Sequence, residues 1–260
     1  MKNILFIITL LSFLACKKEI KKQFIEENKF FERAKQQNVF SNLEGIWVRK
    51  DYVDLLKINK SPSASFKTLN NISSILIDVN KAINNKLEIG LSLNNHEGST
   101  ATLVKKGKNL YINLYGESGN SLIKILLNNS ILTFNFEGKK YEFIKVIKDY
   151  SEGSVDAGYG IQFITNQILF ENKKYNIENF NKNVIFREDG EVQNFIDYTS
   201  YEVATDFETD PDPMDWIILN SSSSKDFFHF KFTDNDLLLY EYDKELEDYK
   251  IKYTLSKVRK

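Results

Sequence analysis

The side chains able to do chemistry in this chain are few and scattered. Its 260 residues include one cysteine, Cys16, and two histidines, His96 and His229. That leaves too little material for a Cys/His zinc cluster or a histidine-centred catalytic group. His96 lies in Asn94-Asn95-His96-Glu97-Gly98, which reads as a hairpin turn. His229 lies in the alternating run Phe228-His229-Phe230-Lys231-Phe232, which reads as a strand. Neither is accompanied by a G-x-S-x-G nucleophile elbow or by a phosphate-cradling G-x-x-x-x-G-K-[ST] loop. The densest set of carboxylates is Asp206, Glu208, Asp210, Asp212 and Asp215, with Pro211 and Pro213 between them and no basic residue. Alternating carboxylates can turn oxygens toward a hard cation, which makes Asp210, Asp212 and Asp215 candidate calcium ligands. The stretch lacks the glycine and the distal glutamate of the helix–loop–helix calcium site, so a solvated acidic loop is the expectation. Carboxylate pairs could also serve an envelope glycan hydrolase, but a chain this rich in Asp and Glu offers such pairs by chance. The expectation is no catalytic residue, no metal and no cofactor.

Composition narrows the classes further. Lys and Arg number 35 against 36 Asp and Glu, a net charge of −1, and 42% of residues are hydrophobic. Disordered chains have few apolar residues and a large net charge, and nucleic-acid binders carry a basic excess. Both are disfavoured. Only Arg33, Arg49, Arg187 and Arg259 could supply bidentate phosphate forks. Phe and Tyr, at 20 and 13, far outweigh 11 Gly and 3 Pro, and aromatic side chains suit a pleated, half-buried surface. An all-β chain is predicted.

The N-terminus says where the body sits. Met1-Lys2 is a short positive start, and Ile4 to Leu14 is an apolar run broken only by Thr9 and Ser12. The run is long enough for a signal-peptide core of roughly 7–15 residues and too short for the ~20 needed to span a bilayer. It ends in Ala15-Cys16. This resembles the lipobox of bacterial lipoproteins, in which a small residue precedes a cysteine that is diacylated and becomes the mature N-terminus. Phe13 stands where leucine is usual in that pattern. The resemblance implies a protein anchored in a membrane through acylated Cys16. Each buried methylene is worth ~0.8 kcal/mol, and two acyl chains suffice for stable anchoring. Lys17, rather than an aspartate, follows the cysteine; among lipoproteins of two-membrane bacteria that implies the outer membrane.

The elements that position the remaining residues follow in order. Residues 1–15 form the signal and 16–43 a charged tether, in which Ile20, Phe24, Phe31 and Ala34 fit one helical face. Short alternating runs then dominate, among them Ser74–Asp78, Leu87–Leu93, Leu110–Tyr115, Leu132–Phe136 and Tyr141–Val146, punctuated by Asn94-Asn95, Gly107, Gly119-Asn120, Asn128-Asn129 and Glu137-Gly138. After a polar, glycine-bearing break at Ser151–Gly160 the texture returns in Val184–Phe186, Val192–Tyr201, Trp216–Leu219, Phe228–Phe232, Leu238–Tyr242 and Tyr249–Val258. These are antiparallel hairpins of a sandwich or a meander barrel. The endings of the two halves match: Leu132-x-Phe134-x-Phe136 leads into Lys140-Tyr141-x-Phe143-x-Lys145-Val146, and Leu238-x-Tyr240-x-Tyr242 into Lys252-Tyr253-x-Leu255-x-Lys257-Val258. The offset of 112 residues places Tyr159 opposite Trp47 and suggests duplication. Halves at 44–148 and 155–258 therefore form one enlarged barrel or two tandem ones, and the shared ending favours two.

Gly45-Ile46-Trp47 opens the first half. It resembles the Gly-x-Trp signature of the lipocalins and wider calycins, in which a tryptophan on the first strand plugs the closed end of the barrel. The resemblance implies that Trp47 is the plug, that Arg259 packs on it, and that the barrel admits one small apolar ligand. In such a barrel Asp51–Ile58 holds the place of a lid, with Tyr52, Leu55 and Leu56 as lid candidates. Val53, Leu55 and Leu56 suggest one or two helical turns stopped by Pro62, and a packed connector is the preferred reading of them. The expected protein is a non-catalytic envelope lipoprotein that holds a small apolar ligand. A protein-interaction or structural lipoprotein with a filled core is the alternative. The Cys16→Ser variant is expected to move from the membrane pellet to the soluble fraction on cell fractionation, and unchanged partition would refute the anchor.

Overall fold

The computed structural model describes residues 39–116, 119–148, 156–171, 173–177, 182–207 and 214–258. Cys16 and the tether up to residue 38, Asp210, Asp212 and Arg259 lie outside them. The chain forms two closed eight-stranded antiparallel barrels in tandem. The first runs through β1 (Gly45–Arg49), β2 (Ile72–Ile77), β3 (Lys86–Leu93), β4 (Glu97–Lys106), β5 (Asn109–Gly116), β6 (Gly119–Asn128), β7 (Ile131–Phe136) and β8 (Lys139–Ile147). Each strand pairs with the next, and β8 returns to β1. The second runs through β9 (Lys174–Ile177), β10 (Val184–Phe186), β11 (Glu191–Phe195), β12 (Tyr198–Val203), β13 (Asp215–Asn220), β14 (Lys225–Phe232), β15 (Asp236–Asp243) and β16 (Asp248–Lys257), closed by β16 on β9.

Alternation puts one face of each strand inside. In the first barrel Trp47, Ile75, Ile89, Leu103, Ile112, Ile125, and the stacked rings of Phe134, Tyr141 and Phe143 merge into one core to which every strand contributes. The hairpins close with the backbone that strand twist prefers: Asn129-Ser130 and Glu137-Gly138 hold positive φ at both turn positions. The predicted tether gives up its last residues to this barrel. Phe40 and Leu43 are buried in its core, the latter on a 3-10 turn at Ser41–Leu43. Val192–Tyr201, expected as one run, is two strands, because the chain reverses at Ile196-Asp197 with Asn194 and Ile196 at positive φ.

Among the described residues the connections hold the α-helices α1 (Lys50–Asn59), α2 (Pro62–Ser65) and α3 (Tyr159–Phe170). The expected one or two turns after Trp47 are a ten-residue helix. Pro62 does not stop it. Lys60 does, in the left-handed conformation with its N–H donating to Leu56 O at 2.9 Å, and Pro62 instead opens α2 behind the Ser61 cap. α3 begins at Tyr159, the residue that the 112-residue offset sets opposite Trp47. Asp156 accepts from the Tyr159 N–H at 3.0 Å to start the helix, and none of its residues is exposed, so even Thr165 and Asn166 are buried. It lies between the barrels, packing on β1, β2 and β8 of one and β12 of the other. Its close approach to β1 depends on Gly160, where a Cβ would stand 2.4 Å from Ile46 Cγ2 and 3.1 Å from Val48 Cγ2. Overpacking of this kind costs about 1–3 kcal/mol, and the helix preference for Ala over Gly returns only about 1 kcal/mol. Gly160→Ala is therefore expected to lower the urea midpoint; an unchanged or higher midpoint would show that the helix does not seat on β1 in this way.

Candidate functional site

The end of the first barrel is built around Trp47. Gly45 precedes it with φ of 123°, and a Cβ there would fall 2.3 Å from Ile147 O, so glycine is required where β1 and β8 meet. The ring of Trp47 is fully buried, and its Nε1 donates to Leu43 O at 2.7 Å. Lys145 stands opposite in the β1–β8 register, its Nζ 4.9 Å from the indole centroid and donating to Asn42 O at 3.0 Å. The basic residue on the plug is thus Lys145, from the last strand of the same barrel. Arg259, the residue expected there, lies outside the described residues. Burial pulls the Lys145 pKa down, with Glu44 opposing. The arrangement seals the barrel and performs no chemistry.

The lid candidates separate. Tyr52 and Leu56 are fully buried, while Leu55 is 37% exposed. The Tyr52 hydroxyl hydrogen bonds Thr165 Oγ1 of α3 at 2.7 Å, and burial pushes its pKa upward. Tyr52, Val53 and Leu56 belong to the same core as the second barrel, so α1 is a packed connector between the barrels.

Of the acidic candidates, Asp215 is buried at the start of β13, where its carboxylate accepts from the Ser63 N–H of α2 at 2.8 Å. It caps a helix. Among the described residues no group of three or more His, Cys, Asp or Glu is placed to hold a metal ion. The histidines fall on different barrels, His96 in the β3–β4 turn beside Asp206 and Glu97, and His229 on β14.

The residues that patterning alone did not bring together lie on the outer face of β13–β16. Register aligns Trp216, His229, Tyr240 and Ile251 in a row across four strands. Beside it Ile218 pairs with Phe227, and Tyr242 with Tyr249. The rings form a continuous ladder: Trp216 to His229 at 5.6 Å, His229 to Tyr249 at 4.5 Å, Tyr249 to Tyr242 at 5.3 Å. Phe227 is 56% exposed and Ile251 52%. Lys250 and Lys252 with Glu241 and Asp243 form an ion-paired rim beside it. The signal was present in the alternation, because the outward positions of these strands carry aromatic residues where a solvated face carries polar ones.

No family model, curated protein or solved structure matches the chain.

Asp215 supplies a pH test of this geometry. Burial holds its carboxyl above the usual carboxylate range, with the Ser63 N–H opposing. A carboxyl whose pKa rises on folding penalises the fold above its unfolded pKa and not below it. Asp215→Asn keeps an acceptor for Ser63 and removes the charge. Its urea midpoint is expected to exceed the parent's near pH 7 and to match it near pH 3; a lower midpoint near pH 7 would contradict the burial of a charged group.

Proposed function

We propose that this chain is a non-catalytic lipoprotein, held at the outer membrane of the cell envelope through acylated Cys16, that docks a protein partner on the aromatic face of its second barrel. The observation carrying this reading is the ladder of Trp216, His229, Tyr249 and Tyr242 with exposed Phe227 and Ile251 beside it. An aromatic centre with a charged rim is the anatomy of a protein interface. Exposed contiguous apolar surface on a soluble body marks such sites.

The alternative of an apolar guest inside a barrel draws less support. An eight-stranded barrel has an interior only wide enough for side chains or one small ligand, and here side chains from all eight strands of each barrel meet across the axis. In the second barrel Phe170, Phe186, Phe195 and Tyr201 occupy that volume, with ring centroids 4.9–6.0 Å apart.

A photocrosslinking amino acid placed at Phe227 or Ile251 is expected to give an adduct of discrete mass in intact cells. Placement at Leu126, exposed on β6 of the first barrel, is expected to give none, and Tyr249→Ala is expected to abolish the Phe227 adduct. Absence of adducts at both positions, or the same adducts at Leu126, would sink the docking reading. A lipid that stays with the protein in native mass spectrometry until the barrels unfold would return the choice to an internal carrier.

A further inference from the structure

The Trp47–Lys145 pair has a counterpart at the corresponding end of the second barrel. Tyr175 lies opposite Lys257 in the β9–β16 register, as Trp47 lies opposite Lys145 in β1–β8. In the first barrel the lysine rests on the indole. In the second, Tyr175 and Lys257 instead line a cleft of about 350 Å³, and two more lysines join them there. Lys60 comes from the left-handed end of α1, and Lys173 from just beyond α3. Three ammonium groups from three separate segments thus line one concave site.

Two observations show that the site's own side chains do not satisfy it. Tyr175 is only 2% exposed, and its buried hydroxyl has no hydrogen-bond partner. A buried polar atom left unpaired costs about 1–3 kcal/mol, so such atoms call for an explanation. The lysines also stand close enough to repel one another. Lys173 Nζ donates to Leu169 O and lies 5.0 Å from the Phe232 centroid, contacts that leave its charge uncancelled. Burial, then repulsion from Lys60 and Lys257, pulls the Lys173 pKa down to about 8. Lys60 is lowered as well, by burial and by Lys57 and Lys257. Asp234 and Asp236 line the cleft as well, so three lysines face two carboxylates.

We propose that this cleft binds the phosphate group of a ligand, with Lys60, Lys173 and Lys257 facing its oxygens and the Tyr175 hydroxyl donating to one of them. A phosphate monoester carries about −1.5 to −2 charges near pH 7 with three acceptor oxygens. That suits several ammonium point charges, whereas a singly charged carboxylate is better matched by the planar fork of an arginine. Phe232 offers an apolar floor for the ligand's remaining atoms. The site shares no residue with the aromatic row: its residues lie on β9, β16, the end of β14 with the turn into β15, and the helix ends.

The test uses the whole chain carrying Cys16→Ser, titrated calorimetrically with inorganic phosphate and, separately, with phosphatidylcholine vesicles with and without phosphatidate. Tyr175→Phe removes a hydroxyl that bonds nothing, so its melting temperature is expected to equal or exceed the parent's. Lys173→Met keeps an apolar stem over Phe232. Both variants are expected to weaken binding, Lys173→Met by at least tenfold. Saturable binding of inorganic phosphate that vesicles do not enhance assigns the site to a soluble phosphorylated compound. Binding confined to phosphatidate-bearing vesicles, and weakened by the same two substitutions, assigns it to a lipid headgroup. Either outcome supports the site. No binding of either probe, or equal affinities for the parent and both variants, overturns it.

Discussion

A closed barrel has no free strand edge, so a second barrel can be joined to it only through side chains laid against its outer surface. Here that contact is α3 on β1, and it turns on the missing Cβ of Gly160. With the helix lying against Ile46 and Val48, β1 is covered on the outside as Trp47 covers it on the inside, and four of its five residues are fully buried. The polar atoms trapped by this close packing find partners. Ser74 Oγ donates to Ala157 O at 2.6 Å, Tyr52 bonds Thr165, and Asn166 donates to Glu188 O at 3.1 Å. The far end of the same helix carries Phe170, which stacks on Phe186 and meets Tyr201 and Phe232 edge-on or tilted. One helix is therefore a wall for the first barrel and a plug for the second. Val48, Tyr52 and Leu56 belong to the second barrel's core for this reason.

The two barrels share a register but use it differently. Their closing strands are offset by 112 residues, Lys145 against Lys257, whereas their first strands are offset by 128, Trp47 against Tyr175. The difference of 16 is the excess of the β1–β2 connection, residues 50–71, over the β9–β10 connection, residues 178–183. That excess is the segment containing α1 and α2, which fills the space between the barrels. The exchange of ring follows the same logic. An indole is large enough to seal the first barrel and reach Leu43 O. A phenol at the equivalent place leaves a cleft beside it, and the opposing lysine is not drawn onto a ring.

Much of the fold was legible because alternation is a local property. The hairpins from Leu87 to Val146 and from Val184 to Val258 could be read from period-two patterning and turn residues, and the matched closing hairpins pointed to two barrels. What failed was non-local. Residues 159–170 mix Ile, Phe and Thr, which favour strands, and their polar residues Gln162, Thr165, Asn166 and Gln167 are buried or half-buried rather than forming a solvated face; that burial between barrels exists only once both are folded. The resemblance sets Arg259 on Trp47; Arg259 lies outside the described residues, and the residue found on the indole is Lys145 of β8. Tyr159 was paired with Trp47 by a constant offset, which the extra connection in the first half breaks. The aromatic outer face was within reach of the sequence, since Trp216, His229 and Tyr240 occupy the outward phase of their strands. The cluster of Lys60, Lys173 and Lys257 was not, because nothing local relates a helix end, a loop and a final strand.

The distribution of aromatic residues favours the proposed exterior use of the barrels over an interior one. A lipocalin-like barrel plugs one end and keeps the other open to a guest. In the first barrel Trp47 plugs one end with Phe40 and Leu43, but the other end of β1 is occupied as well. Arg49 lies 4.9 Å from the Tyr141 ring and donates to Asn70 O and Ile72 O at 3.4 Å, while Tyr141 stacks through Phe134 onto Phe143. The second barrel is filled from its wall and again from α3. Opening either would expose stacked rings, each worth about 1.5–3 kcal/mol of burial, against the gain from one small ligand. With both interiors committed to the fold, the proposed recognition uses surfaces the barrels make rigid. The second barrel offers such surfaces in two places, an aromatic face on which Phe227 and Ile251 are exposed and a cleft lined by three lysines.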